Sequence, residues 1–315
     1  MNRKPAIISL KKYVLTSQEK YILKSEKPWG VILFKRNIKS YDQVRNLTQN
    51  IRQCIKDPFY PIFIDEEGGM VSRLSHLLNS KEFSQKFFGD LYEKNKKNGK
   101  FIYNYYLNSI CSVLKNVGIN INTIPVMDIS QDKTNKIIGS RSFSKNIKIV
   151  KSLGSICINI LKKNKIASVA KHIPGHGCAT DDSHKKLPIV NDNIKKLYLN
   201  DFLPFKNLNS HFVMTAHILY KKIDPKFVAT QSNIIIKKII RKKLKFNGLI
   251  ISDDISMKAL SKNLVYNSKL ALKAGCNLVL HCNGNIKETT QLLKSLNKID
   301  DFTKKKTHQL YEFLR

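Results

Sequence analysis

The sequence predicts an α/β protein folded as a single (β/α)8 barrel of the TIM type, and three observations lead there. Short apolar runs recur along the 315 residues and number eight. Stretches with apolar residues at helical spacing lie between them, the alternation expected of parallel strands joined by right-handed crossovers. Polar motifs stand directly behind several runs, where a closed parallel barrel gathers them at the C-terminal rim of its strands.

The expected strands are 6–10, 31–34, 61–64, 119–127, 166–170, 212–216, 249–252 and 277–280. After the first, Thr16-Ser17-Gln18-Glu19 has the form of a capping box opening a helix. Ser40 with Gln43 reads as another cap, followed by Val44, Leu47, Ile51 and Ile55 on one helical face. From 74 to 100 the pattern loosens into an Asn- and Lys-rich connection; 93–100 is expected to be a solvated loop, a weak candidate for a domain boundary. Residues 101–117 read as a helix ending at Gly118, and Ile149, Leu153, Ile156, Ile160 and Leu161 mark another before the fifth strand. Further helices are expected near 193–208, 233–244, 265–274 and 286–296, and 304–315 reads as one charged helix.

No internal repeat, low-complexity segment or Pro/Ser linker interrupts this alternation, so residues 1–315 are expected to form one domain. An open doubly wound sheet is the structural alternative. It has no Gly-rich dinucleotide loop to support it.

Apolar residues make up 42% of the chain, with 15 Phe and 12 Tyr, which supplies a core and excludes disorder. The net charge of +33 would ordinarily suggest nucleic acid or an anionic surface. Its distribution argues otherwise: most of it is Lys, scattered in pairs such as Lys162-Lys163, Lys237-Lys238 and Lys242-Lys243 as on solvated helix faces. Arg, the better bidentate reader of phosphates, is scarce, and no nucleic-acid-binding motif is present, so no specific nucleic-acid partner is expected.

The cysteines, at 54, 111, 157, 178, 276 and 282, form no C-x-x-C pair and no zinc spacing, and read as free thiols in a reducing compartment. The apolar stretch 6–10 before Lys11-Lys12 is too short for a signal peptide, and no run approaches the roughly 18 apolar residues of a membrane span. A cytoplasmic location is expected. No metal cluster, phosphate loop or cofactor motif is visible, so the chemistry is expected to need no cofactor.

The chemistry concentrates in Lys171-His172-Ile173-Pro174-Gly175-His176-Gly177-Cys178-Ala179-Thr180-Asp181-Asp182-Ser183-His184, directly after the fifth run. Pro174 ends regular structure, and Gly175 and Gly177 permit close backbone approach. Asp182 and His184 stand two apart, a spacing that lets a carboxylate orient one imidazole nitrogen while the other stays free for acid/base work. Cys178 reads as a small tolerated loop residue rather than a nucleophile.

This run, K-H-I-P-G-H-G-x-x-x-x-D-S-H, resembles the signature of the bacterial single-domain β-N-acetylglucosaminidases of glycoside hydrolase family 3. Ile64-Asp65-Glu66-Glu67-Gly68-Gly69 with Arg73, Ile138-Gly139-Ser140-Arg141-Ser142-Phe143, and Ile251-Ser252-Asp253-Asp254-Ile255-Ser256-Met257 are similar to the family's other motifs, in the family's order. The resemblance spans 6–282.

The resemblance implies a retaining exo-β-N-acetylglucosaminidase that removes terminal N-acetylglucosamine from muropeptides in peptidoglycan recycling. Asp253, behind the seventh run, matches the nucleophile; Asp254 competes, although strand alternation turns its side chain away from the mouth. Without that match, a strand-end Asp reads as a helix N-cap. His184 with Asp182 matches the acid/base pair, and no second Glu stands at a rim position with acid/base context.

Asp65 is implied as the acceptor of sugar hydroxyls, with Glu67 the alternative, and Arg73, Arg141, Lys171 and His172 as further substrate-binding residues. The competing reading of these cations is internal ion pairing, to Asp128 in the case of Arg141. His176, His217 and Met257 read as pocket lining, and Gly68 and Gly69 as turn formers. Met70 and Glu66 depart from the family, whose members often carry Arg and Gln there.

The expected partner is a small carbohydrate, and the expected state a monomer. Two rivals stand beside this reading. One is a β-N-acetylglucosaminide phosphorylase, since a neutral His does not repel phosphate as a carboxylate would. The other is a non-catalytic muropeptide or nucleic-acid binder.

Overall fold

The computed structural model describes residues 2–131, 138–179, 181, 186–260 and 262–315. The barrel strands are β1 (Lys4–Ser9), β2 (Pro28–Leu33), β3 (Ile62–Ile64), β4 (Ile121–Asn122), β5 (Ala167–Ile173), β6 (Phe212–Thr215), β7 (Leu249–Asp254) and β8 (Leu278–His281). All pairings are parallel, and the sheet closes where Ala6, Ile7 and Ile8 of β1 face Val279, Leu280 and His281 of β8. This is the (β/α)8 barrel expected from the sequence.

The bounds differ in instructive places. The expected fourth strand, 119–127, contracts to Ile121–Asn122 plus one bridge from Val126 to Lys171, because Pro125 has no N–H to donate to a ladder. β5 instead runs on through Lys171 and His172 and stops before Pro174, so two candidate site residues are part of the sheet itself. β7 likewise carries Asp253 and Asp254 within the strand.

Alternation along the strands sorts the apolar residues into an outer layer beneath the helices and an inner plug. Trp29, Phe63 and Phe212 meet inside the barrel with ring centroids 5.7–6.0 Å apart. Trp29 Nε1 donates to Thr307 Oγ1 at 2.9 Å, which ties this plug to the last helix, Asp301–Leu314. That helix was expected only as a charged one. Its Thr303, Thr307, Leu310 and Tyr311 form a buried face that closes the N-terminal end of the barrel, leaving the opposite end open.

The caps form as the sequence implies. Thr16 Oγ1 accepts the Glu19 N–H, and Glu19 Oε2 accepts the Thr16 N–H, completing the box at helix Ser17–Glu26. Ser40 Oγ accepts from Gln43 at the start of helix Tyr41–Ile55, whose Val44, Leu47 and Ile51 are buried.

The connection 93–100 is a correction: it is helical, not a loop. Helices Gln85–Lys94 and Lys96–Asn116 abut at Asn95, whose side chain caps the second by accepting from Asn98 at 3.0 Å. The lysines there are the solvated face. The buried face holds an aromatic cluster, with Phe88 4.6 Å from Tyr103 and 4.8 Å from Tyr106 between ring centroids, so no domain boundary falls here.

Among the described residues no helix is long and apolar enough to cross a membrane. All six cysteines are free thiols.

Candidate active site

At the open end, the C-terminal ends of the strands surround a cavity of about 140 Å³, open to solvent. Its polar wall comes from the β3, β4 and β5 side, with Asp65, Arg73, Thr123, Arg141, Lys171 and His172. The facing wall is more apolar, with Phe34, Met214, Met257, Leu280 and Cys282 around Asp253 and Asp254. All the expected substrate-binding residues, and Asp253, therefore meet in one place. Asp182 and His184 lie outside the described residues.

The polar wall is a closed network of ion pairs. Lys171, only 2% exposed, sets its ammonium between Asp65 and Glu67, 2.5 Å from Glu67 Oε1, and donates to Thr123 Oγ1 at 3.0 Å. Asp65 also accepts from Arg73 Nη2 at 3.0 Å and from Thr123 Oγ1 at 2.5 Å. Burial alone would raise the Asp65 pKa, but Lys171 and Arg73 outweigh it and hold the carboxyl far below the usual range.

Arg141 ends the short helical turn Gly139–Arg141 and pairs through both Nε and Nη2 with Glu67. It thus has the internal ion pair anticipated for it, with Glu67 in place of Asp128. Burial opposes ionisation of Glu67, and Arg141 followed by Lys171 overcome it, so its pKa is lowered.

Asp128 belongs to His172. Its Oδ2 lies 2.7 Å from His172 Nδ1, and its oxygens also accept the N–H groups of His172 and His176. Burial works against the Asp128 carboxylate, and His172 lowers its pKa nonetheless. His176 lines the cavity as expected; burial outweighs the neighbouring Asp128 charge and pushes its pKa down to about 4, so its ring is neutral at pH 7.

Glu66 is buried beneath the loop after β3. It accepts the N–H groups of Arg73 and Leu74 at 2.6 and 2.8 Å and the Ser80 hydroxyl at 2.7 Å. A carboxylate can accept all three, and in this way Glu66 sets the backbone from which Arg73 projects. The turn is made by Gly68 and Gly69, with φ of 78° and 59°. Met70 sits exposed on the same loop.

Asp253 Oδ1 accepts the N–H of Asp254 at 2.8 Å. Asp254, although it borders the cavity, is engaged by neighbouring loops, accepting from Ser256 N and Oγ and from Cys282 N. His217 is a correction: it stands behind the wall instead of lining it, with Nδ1 against Thr230 Oγ1 at 2.7 Å and Nε2 donating to the Asp254 carbonyl at 3.0 Å. Burial raises the Cys282 thiol well above its ordinary value, and Asp254 and Asp253 raise it further, so it faces the cavity uncharged.

Phe34 and Thr123 line the cavity without having been singled out in the sequence, and Asp128 pairs with His172 rather than with Arg141. Asp128 stands directly behind the expected fourth strand, whereas Phe34 and Thr123 fall inside expected strands and reach the rim because β2 and β4 end at Leu33 and Asn122.

Residues 7–310 match the glycosyl hydrolase family 3 N-terminal domain, so the chain belongs to that family and is a glycoside hydrolase. Its relatives are narrower in kind. The chain is 31% identical over 306 residues to a beta-hexosaminidase of Thioalkalivibrio sulfidiphilus, covering 96% of this chain and 86% of that protein. It is 33% identical over 283 residues to one from Haemophilus influenzae, covering 88% and 79%. NagZ from Neisseria gonorrhoeae, solved in complex with N-trifluoroacetyl-D-glucosamine, superposes with a TM-score of 0.88 at 26% identity, over 100% of this chain and 91% of NagZ. The type is that of a NagZ-like β-N-acetylglucosaminidase.

Proposed function

We propose that the protein is a retaining exo-β-N-acetylglucosaminidase that removes terminal β-linked N-acetylglucosamine from muropeptides of the GlcNAc-1,6-anhydro-MurNAc type. The observation that carries this reading is the shared cavity: Asp253, at the end of β7, borders the same space as Asp65, Arg73, Arg141, Lys171 and His172. In this reading the polar wall accepts from and donates to the sugar hydroxyls. Asp253 attacks the anomeric carbon while His184, oriented by Asp182, protonates the leaving oxygen. Water deprotonated by His184 then cleaves the glycosyl ester and restores both groups.

The whole chain, 1–315, acts in this reading as one catalytic domain, a cofactor-free monomer serving peptidoglycan recycling in the cytoplasm. The activity of the beta-hexosaminidase relatives and the ligand in the NagZ complex support the sugar.

The test is turnover of an aryl N-acetyl-β-glucosaminide and of a GlcNAc-anhydro-MurNAc disaccharide. Asp253→Asn is expected to keep the fold and lose turnover by several orders of magnitude, since an amide forms no glycosyl ester. Near-normal turnover in that variant beside an inactive Asp254→Asn would move the nucleophile by one residue. With added phosphate the product is expected to remain the free sugar; a sugar 1-phosphate would make the enzyme a phosphorylase.

A further inference from the structure

Beyond the residues that border the cavity, one buried carboxyl is tied to the loop that leaves β5. Asp201, in the wide helical turn Tyr198–Phe202, is 0% exposed and has no place in the cavity wall. Its Oδ1 accepts the Gly177 N–H at 3.0 Å and its Oδ2 the Cys178 N–H at 3.3 Å.

The loop is shaped to reach it. A Cβ on Gly175 would lie 2.6 Å from Asp201 Cγ, and one on Gly177 would lie 2.7 Å from Asp201 Oδ1 and 2.4 Å from the Ile129 carbonyl. Only glycines let the backbone pass this close. Asp128 takes the N–H immediately before, that of His176, and the Tyr220 hydroxyl donates to the Gly175 carbonyl. Successive peptide groups from 175 to 178 are thus held from beneath, and Asp182 and His184 follow a few residues on.

We propose that Asp201 is a positioning residue for the reaction: by holding the Gly177–Cys178 backbone it sets the root of the segment that delivers Asp182 and His184. The proposal rests on the reading of those two residues as the acid/base pair. An acid must meet the leaving oxygen within hydrogen-bond reach, and a displacement of about 1 Å can cost on the order of 10²-fold in rate. Burying a carboxyl away from water is costly, and here it gives two backbone donors their acceptor.

The test compares pre-steady-state glycosylation on the disaccharide, whose leaving alkoxide needs a proton, with that on a nitrophenyl glycoside, whose leaving group does not. Asp201→Asn preserves volume but turns an amide donor toward one of the two N–H groups. It is expected to lose about 10²-fold on the disaccharide, much less on the aryl glycoside, and to leave the Kd for N-acetylglucosamine unchanged. In a His184→Ala background the same substitution is expected to add no further loss.

Equal loss on both substrates, or a full additional loss in the His184→Ala background, would overturn the proposal. Should Asp201→Asn fail to fold, Gly177→Ala decides, because it keeps the carboxyl and drives the backbone off it; the same leaving-group dependence supports the proposal, and equal loss overturns it. A His184→Ala enzyme indifferent to the leaving group would overturn the acid/base reading and this proposal with it. The dependence in His184→Ala without it in Asp201→Asn would overturn this proposal alone.

Discussion

Arg141 donates from Nε and Nη2 to the two carboxylate oxygens of Glu67, at 2.7 and 2.8 Å, and both side chains are nearly sealed from solvent. Glu67 also faces Lys171, so one carboxylate orients two cations of the cavity's polar wall.

Replacing Glu67 by Gln leaves Arg141 half-matched in a buried setting. Breaking a buried pair typically costs about 3–5 kcal/mol, and a loss toward the lower end is expected because the amide keeps one acceptor. Urea unfolding reads the stability, and steady-state kinetics should show KM rising more than kcat falls. A variant with unaltered stability and KM would mean that the pair orients nothing the substrate uses.

Asp201 makes stability depend on pH in a defined direction. Burial, followed by the nearby Asp128 charge, pushes its pKa up to about 8, and among the described residues Cys178 and Tyr220 are the other titratable groups facing it. An unfolded Asp titrates near about 3.9, so between roughly pH 4 and 8 the folded state holds a proton that the unfolded state has released. Stability from this site is therefore expected to fall as pH rises through that window. The unfolding free energy of wild type relative to Asp201→Asn should decline from pH 5 to pH 8; parallel curves would mean that the carboxyl titrates normally.

Gly89 lies inside helix Gln85–Lys94, where alanine ordinarily stabilises by about 1 kcal/mol. Here an added Cβ would come within 1.6 Å of the Phe143 carbonyl. Gly89→Ala is expected to destabilise instead, by about 1–3 kcal/mol or more, with a corresponding fall in Tm. A stabilised variant would show that this helix does not pack on the segment following Arg141.

The net charge of +33 does not extend into the cavity, where Arg73, Arg141 and Lys171 are each matched to Asp65 or Glu67 and Asp253 and Asp254 add further carboxylates. Duplex DNA at physiological salt is expected to bind no better than a Kd of roughly 10⁻⁴ to 10⁻⁶ M, with a steep salt dependence. Tighter or sequence-selective binding in a titration would give the surface charge a partner of its own.

Much of this arrangement is legible in the chain because its signals are local. Apolar runs, the capping box at Thr16 and the motifs behind β3, β5 and β7 depend on spacing within a few residues. The misreadings share the opposite property. Residues 93–100 look solvated because their lysines dominate the composition, whereas the helices there are decided by Phe88 meeting Tyr103 and Tyr106. His217 follows a strand as a rim residue should, yet its ring turns toward Thr230 and the Asp254 backbone.

The sequence by itself determined the barrel and the rim as the place of chemistry, since periodicity and strand-end position carry that information, whereas Arg73 and Arg141, which stand at no strand end, were marked only by the resemblance of their motifs to those of the family. Only the tertiary structure decided the pairings: Glu67 with Arg141 and Lys171, Asp128 with His172, Asp201 with Gly177 and Cys178, and the last helix with Trp29. Each joins groups far apart in the chain. Which buried donor meets which buried acceptor follows from barrel closure bringing distant segments together, and no local pattern encodes it.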